Sequence, residues 1–368
     1  MFSIIAREKA ARAGILETMH GSLETPAFMP VNTKGVAKFV TRDMLYEMGV
    51  QAVISNSFIL YLTPGLDIVG DLHDFMNFKR VIFTDCGAFQ MLRDSFYLNH
   101  TNLGIRFKNP FNGKRILLTP AEVMRIQTSL NSDVAMALDN LQAHGKKRPE
   151  FEKAVELTLK WHEECLQAHR IFWPRLQKKR QLVFGIGQGG LDENLRRVCM
   201  KKLVQMDFDG YAIGGLCIGE KKEEMYRMTE ISIKAVPNDK PVYLMGVGSP
   251  EDVVKSISLG VDIFDSAYPT QLARHNTLFT WDGYLKISAL QYKDDSRPPD
   301  PACNCMVCRN FSRKYLRHLV KVEEPTAHIY KSYHNLYFLQ ALVGRCREEI
   351  KKETFTVFAK AFLKKYQV

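Results

Sequence analysis

No stretch of the 368-residue chain approaches the roughly twenty consecutive apolar residues that a membrane-spanning helix needs. The opening segment, MFSIIAREKAARAG, holds no apolar core of signal-peptide length, so a cytoplasmic protein is expected, with no membrane partner. Internal repeats and low-complexity tracts are also missing, which argues against a solenoid or a disordered linker. Cysteines at framework spacing are lacking. Cys86, Cys165, Cys199, Cys217 and Cys346 are scattered, as expected where thiols stay reduced. The sequence contains no H-x-H pair, and no histidine ends any apolar run. A metal-dependent barrel hydrolase would therefore have no ligands for its ion.

What remains is concentrated near the carboxyl end. Cys303, Cys305, Cys308 and His334 form a C-x-C-x-x-C run followed by a histidine. Three cysteines within six residues are awkward as disulfides but natural around one tetrahedral ion. A filled Cys3His shell is structural, so one Zn2+ per chain is expected to staple a subdomain over about 295–340, with catalysis lying upstream. The net charge of +11 points to a polyanionic partner. Basic residues gather at Arg309, Arg313, Lys314, Arg317 and Lys321, and again at Lys351, Lys352, Lys360, Lys364 and Lys365, with Phe311, Tyr315 and Tyr330 beside the first group. Two readings stand for these clusters: solvated helix faces, or a phosphate-binding surface with salt-dependent affinity.

Eight short apolar runs alternate with amphipathic stretches, at 27–31, 52–56, 81–85, 134–139, 182–187, 211–215, 242–248 and 261–265. Continuous apolar strands separated by helices form parallel sheets covered on their outer face. Eight such units predict a single α/β domain over 1–368, a (β/α)8 TIM barrel with a zinc-binding insertion near the carboxyl terminus; a doubly wound open sheet is the rival. Residues 1–24 read as an antiparallel cap on the far end, FTWDGYLKI as a hairpin, and about 334–348 as a wall helix beginning at the metal. Nearly every run ends in a polar residue or glycine: Asn56, Asp85, Asp139, Gln188, Gly214 with Gly215, Gly246 after Met245, and Asp265. A barrel would gather these on the rim where such folds place their active sites.

Asp85 and Asp265 each leave an apolar strand for a rim of small residues. Two carboxylates facing across a pocket can exchange a glycosidic bond with retention, one attacking the sugar and the other moving a proton. Each taken alone can equally cap a helix. Asp139 with Gln188 can accept and donate along the edge of a guanine-like base. Gly214 and Gly215 either leave backbone groups open to it or form a tight turn after the strand, and Met245 either offers a polarisable surface beneath its ring or belongs to the core.

The ordered set FTDCGAFQ, SDVAMALD, GIGQGG, GYAIGGL, YLMGVGSPEDV, FDSAYPTQLARHNTLFTWDG and the cysteine run, with His334 26 residues after Cys308, resembles the tRNA-guanine transglycosylase (queuine tRNA-ribosyltransferase) family over essentially the whole chain, in its bacterial-type form. The resemblance implies exchange of the wobble guanine of tRNA for a 7-deazaguanine base, either queuine or 7-aminomethyl-7-deazaguanine, through a covalent glycosyl-aspartate. It implies Asp265 as nucleophile and Asp85 as proton donor and acceptor. Base and ribose contacts would fall to Cys86, Gly87, Ala88, Phe89, Asp139, Gln188, Gly215, Leu216 and Met245, with Phe89 and Met245 sandwiching the base and Glu220 bracing the Leu216 peptide. RNA contacts would come from Gly246, Val247, Gly248, Ser249, Pro250, Glu251 and Asp252, and from Thr270, Gln271, Leu272, Ala273 and Arg274. It also implies a homodimer, with Phe311, Tyr315 and His318 in the interface.

The chain departs from the family pattern at four places. Cys86 and Ala88 replace a serine and a glycine beside the ribose, Asn140 and Leu141 follow Asp139, Gln271 stands for an arginine, and Asn56-Ser57-Phe58-Ile59-Leu60 replaces N-T-Y-H-L. An altered pocket points toward a salvaged or bulkier base such as queuine. The alternative function is a non-catalytic tRNA-binding accessory subunit of a transglycosylase dimer, which would keep barrel and zinc but lose the catalytic residues.

Overall fold

The computed structural model describes residues 1–92, 95–173 and 180–366. Three antiparallel strands come first, β1 (Phe2–Glu8), β2 (Ala11–Thr18) and β3 (Gly21–Thr25). The first predicted apolar runs become β4 (Ala27–Pro30), β5 (Ala52–Asn56) and β6 (Val81–Asp85). An antiparallel excursion follows, β7 (Tyr97–Thr101), β8 (Gly104–Lys108) and β9 (Arg115–Leu118). The remaining runs form β10 (Val134–Met136), β11 (Leu182–Gly187), β12 (Gly210–Ile213), β13 (Val242–Leu244) and β14 (Ile263–Ser266), and the predicted hairpin is β15 (Thr277–Thr280) with β16 (Gly283–Lys286).

All eight apolar runs lie in one parallel sheet, ordered β4-β14-β13-β12-β11-β10-β6-β5. A parallel bridge between Val31 and Ile54 joins its two ends, and the Asn32 amide donates to the Ile54 carbonyl at 2.7 Å. The result is the expected barrel. Its strands are buried along nearly their whole length because side chains fill the interior and helices cover the outside.

The amino-terminal end of the ring has its own polar order. Asp133, Asp209 and Asp262 each immediately precede a strand, β10, β12 and β14, and each caps the neighbouring strand. They accept from the amides of Ile82 at 2.8 Å, Val183 at 2.9 Å and Val242 at 2.6 Å. Cations offset these carboxylates. Arg12 on β2 forks onto Asp262, and Arg180 forks onto Asp209; His20, in the turn between β2 and β3, lies against Asp133. The β1–β3 sheet is thus tied to this floor, with a further bond from the Glu24 amide to Gln51 Oε1 at 2.9 Å.

Two features differ from the sequence expectations. The wall helix spans Thr326–Lys351, starting eight residues before its predicted beginning at His334; Pro325, which lacks an amide hydrogen, occupies its N-cap position and marks the boundary. Its Gln340 and Arg347 side chains donate to the Phe28 and Pro26 carbonyls, fastening it along β4. The β7–β9 sheet was not anticipated at all. It leaves the carboxyl end of β6 and packs Phe107 against Phe58, ring centroids 4.8 Å apart, while Arg106, Lys108, Lys114 and Arg115 are exposed. Among the described residues no helix is long and apolar enough to cross a membrane.

Candidate active site

The carboxyl ends of the strands enclose a cavity of about 640 Å³ lined by Asp85, Asp139, Asp265, Gln188, Phe89 and Met245, among others. Its volume lies within the range typical of small-ligand sites. Asp85 is carried there by the rigid end of β6. Gly87 (φ +91°) then turns the chain sharply, where a Cβ would stand 2.5 Å from that of Phe58. Asn56, paired in register with Asp85 across β5 and β6, donates to Asp85 Oδ2 at 2.9 Å. Its own Oδ1 accepts from the Ile59 amide at 2.8 Å, capping the helix Ser57–Leu62. One amide side chain therefore both orders a helix and aims a carboxyl group.

Asp265 sits one position before the end of β14, and its Oδ1 accepts from the Tyr243 hydroxyl at 2.5 Å and the Gly246 amide at 3.0 Å. Asp139, three residues past β10, accepts from Gln188 Nε2 at 2.5 Å and from the Cys86 thiol at 3.4 Å. Gly215 (φ +68°) makes room for Gln188, since a Cβ there would lie 2.4 Å from Gln188 Oε1. The absent side chain of Gly215 thus admits the Gln188 amide.

Burial dominates the electrostatics. It pushes the Asp85 carboxyl up to about 7, aided by the negative charges of Asp139 and Asp265. It also raises Asp139 to about 6 against the Gln188 and Cys86 hydrogen bonds. Asp265 is raised by burial too, opposed by its bonds from Tyr243 and Gly246. Asp85 is therefore poised to hold or release a proton near neutrality, while two donors favour the ionised form of Asp265.

The structure sorts the remaining expected residues. Leu216 is buried, and the Glu220 carboxylate accepts from the amides of Cys217 and of Ile218, the latter at 3.0 Å, bracing the Leu216–Cys217 peptide. Cys86 and Ala88 are buried and do not line the cavity. Leu141, Cys217, Ile218 and Gln271 do line it. In the two stretches expected to meet RNA, Val247, Gly248, Ser249, Pro250, Thr270 and Ala273 are buried, Leu272 is half-buried, and Gly246, Gln271 and Arg274 are exposed. Ser249 caps the helix Pro250–Leu259. Glu251 and Asp252 are paired with Lys222 and accept from Tyr284 and Tyr226. The sequence marks Asn56 only as a strand end and gives no signal for Tyr243. Nothing in VYLM separates a tyrosine aimed at a carboxylate from ordinary core.

Cys303, Cys305, Cys308 and His334 are all buried, with ligand atoms within 4.8 Å of one another. His334 Nε2 faces the Phe279 carbonyl at 2.7 Å, which places its hydrogen there and turns Nδ1 to the sulfurs of Cys305 and Cys308 at 3.4 and 3.3 Å. The group can hold a metal ion. Arg313 and Arg317, in contrast, are spent on structure, bonding to Asp295, the Pro299 carbonyl and the Ala289 carbonyl. Arg309, Lys314 and Lys321 are exposed.

A closed ring of parallel strands with Asp85, Asp139 and Asp265 lining a cavity at its carboxyl-end face is a barrel of the TIM class, with its cavity where such barrels place their active sites. The chain belongs to the queuine tRNA-ribosyltransferase family, whose model matches residues 7–368. It is similar to the queuine tRNA-ribosyltransferase of Caldanaerobacter subterraneus subsp. tengcongensis at 44% identity, covering 98% of this chain and 95% of the relative. The corresponding protein of Bacillus licheniformis is 43% identical over 98% of this chain and 94% of its own. That of Fusobacterium nucleatum is 39% identical over 100% and 98%.

Proposed function

We propose that the protein is a tRNA-guanine transglycosylase, a pentosyltransferase that replaces the wobble guanine of tRNA with a 7-deazaguanine base. The observation that carries the proposal is the opening of Asp85 and Asp265, from strands on different sides of the ring, into one cavity. Asp265, whose ionised form accepts hydrogen bonds from Tyr243 and Gly246, attacks ribose C1′ and forms a carbon–oxygen bond as the bond from C1′ to guanine breaks. Asp85 delivers its proton to the departing base. The now ionised Asp85 then takes a proton from the incoming base, whose nitrogen attacks C1′ and releases Asp265. Asp139 and Gln188 read the base edge while Phe89 and Met245 cover its faces. Because both carboxylates are retained, catalysis is favoured over the accessory-subunit reading. Labelled guanine exchange into tRNA tests this, with Asp265→Asn run beside wild type; exchange by that variant equal to wild type would refute the assignment.

Cys86 and Ala88 are set back from the cavity, so selection of the incoming base falls to the residues that line it, Leu141, Cys217, Ile218 and Gln271. Queuine and the aminomethyl base remain the two candidates, to be separated by offering each alone with matched tRNA. The exposed Gly246, Gln271 and Arg274 and the basic face of β8 and β9 would meet the RNA. We infer Zn2+ at the Cys3His cluster from its thiolate-rich donor set, where it would join the segment around the cysteines to the wall helix. A homodimer through Phe311, Tyr315 and His318 is supported by the stacked Phe311–Tyr315 pair, 5.3 Å between centroids, beside an exposed His318. A substrate such as tRNA supports a cytoplasmic location.

A further inference from the structure

Among the described residues two arginines are buried, and they are balanced differently. Arg12 forks onto the carboxylate of Asp262. Arg196, on the helix Glu193–Gln205 that follows β11, is 0% exposed, and its hydrogen bonds go to backbone carbonyls alone. Its Nε donates to Gly190 at 2.7 Å and its Nη2 to Gly214 at 3.0 Å, while Nη1 has no partner among the described residues. Burial pulls the guanidinium down to about 10, which still leaves it charged at neutral pH. A buried cation held only by neutral groups is costly. The carbonyls it holds are therefore the place to look for what it does.

Both carbonyls belong to the turns that carry the base-reading residues. Gly190 lies just beyond Gln188, and Gly189 between them lets the turn close on the arginine, since a Cβ there would stand 2.8 Å from the Arg196 amide nitrogen. Cys199, on the same helix, accepts from the Gln188 amide at 3.3 Å. Gly214 precedes Gly215 through a trans peptide, whose C=O and N–H point in opposite directions. With the Gly214 carbonyl drawn back to Arg196, the Gly215 N–H is turned the other way, toward the cavity that both glycines line. Among the described residues nothing accepts from that N–H. Glu220 does the converse two peptides on: it holds the Cys217 amide back, which turns the Leu216 carbonyl forward.

We propose that Arg196 is a positioning residue for base recognition: by holding the Gly214 carbonyl it aims the Gly215 N–H at the carbonyl oxygen of the bound purine. The inference rests on the transglycosylase reading, in which Asp139 accepts from the N–H groups of the guanine edge and leaves O6 in need of a donor. Guanine and 6-thioguanine differ only at that acceptor, sulfur being the weaker one. Equilibrium dialysis of each base against the full-length protein reads the preference. Wild type is expected to bind guanine about three- to tenfold more tightly than the thione. Arg196→Met should bring the ratio close to one by weakening guanine, with circular dichroism confirming that the variant is folded. Arg196→Lys keeps the cation but reaches one carbonyl in place of two; it serves where the methionine variant does not fold, and should lose part of the preference. Equal weakening of both bases, an unchanged preference in the folded variant, or unfolding of both variants would overturn the proposal. Exchange of labelled guanine into tRNA by wild type separates the two readings. Exchange with an unchanged preference in the variant removes only the role of Arg196, whereas absence of exchange removes the transglycosylase reading and this inference with it.

Discussion

In the proposed mechanism Tyr243 sets how Asp265 behaves as the nucleophile. Replacing Asp265 with alanine should abolish the covalent tRNA adduct seen as a shifted band on denaturing gels. Tyr243→Phe keeps the ring but removes the hydroxyl that lies 2.5 Å from Asp265. A hydrogen bond to a charged group is worth about 1.5–3 kcal/mol, so kcat/KM should fall at least about tenfold and its acidic limb should move to higher pH. An unmoved limb would show that the hydroxyl does not tune the carboxylate. Asp85, raised to about 7 by burial and by its two acidic neighbours, is protonated below that value and loses its proton above it. Single-turnover adduct formation, which requires the acid, should therefore decline about tenfold per pH unit on the alkaline side. Asp85→Asn should flatten this limb at a much lower rate.

At the level of elements, the cysteine run, the eight strands and the polar strand ends were legible because each is a local pattern. Ligand spacing, continuous apolar runs and their terminators lie within a few residues of one another. The sequence reading leaves out the β7–β9 excursion although Asn112-Gly113, between Lys108 and Arg115, is a turn-forming pair between two short strands; its strands are only four or five residues long, with polar residues interrupting the apolar ones. The wall helix begins before His334, at the Pro325 boundary, because the metal ligand lies within the helix and not at its start. The pairing of Asp262 with Arg12, 250 residues apart in sequence, and of Tyr243 with Asp265 exists only in the closed ring. Arg12→Ala would leave the buried Asp262 without its partner and should cost about 3–5 kcal/mol in urea unfolding, with little change in exchange at temperatures where the variant is folded. Removing metal from the cysteine cluster with a chelator should lower the melting temperature, and Cys305→Ser should mimic it. Unchanged melting after proven metal loss would contradict the stapling role.

For the whole molecule, the +11 charge belongs with a polyanionic substrate. Raising salt should increase KM for tRNA with a log–log slope set by the number of phosphates neutralised, while KM for the free base changes little. Arg106→Ala combined with Arg115→Ala should shallow that slope if the excursion touches the backbone of the RNA. An unaltered slope would move the contact elsewhere, toward Arg274 or Lys314.

Asp85 and Asp265 hang from β6 and β14, which are separated around the ring by β5 and β4. Their separation is therefore set by the hydrogen-bonded ring of strands, whereas Leu141, Ile218 and Gln271 belong to the segments that follow the strands. Under the proposed mechanism, changes in those segments would alter which base is accepted while Asp85 and Asp265 keep their places on the ring.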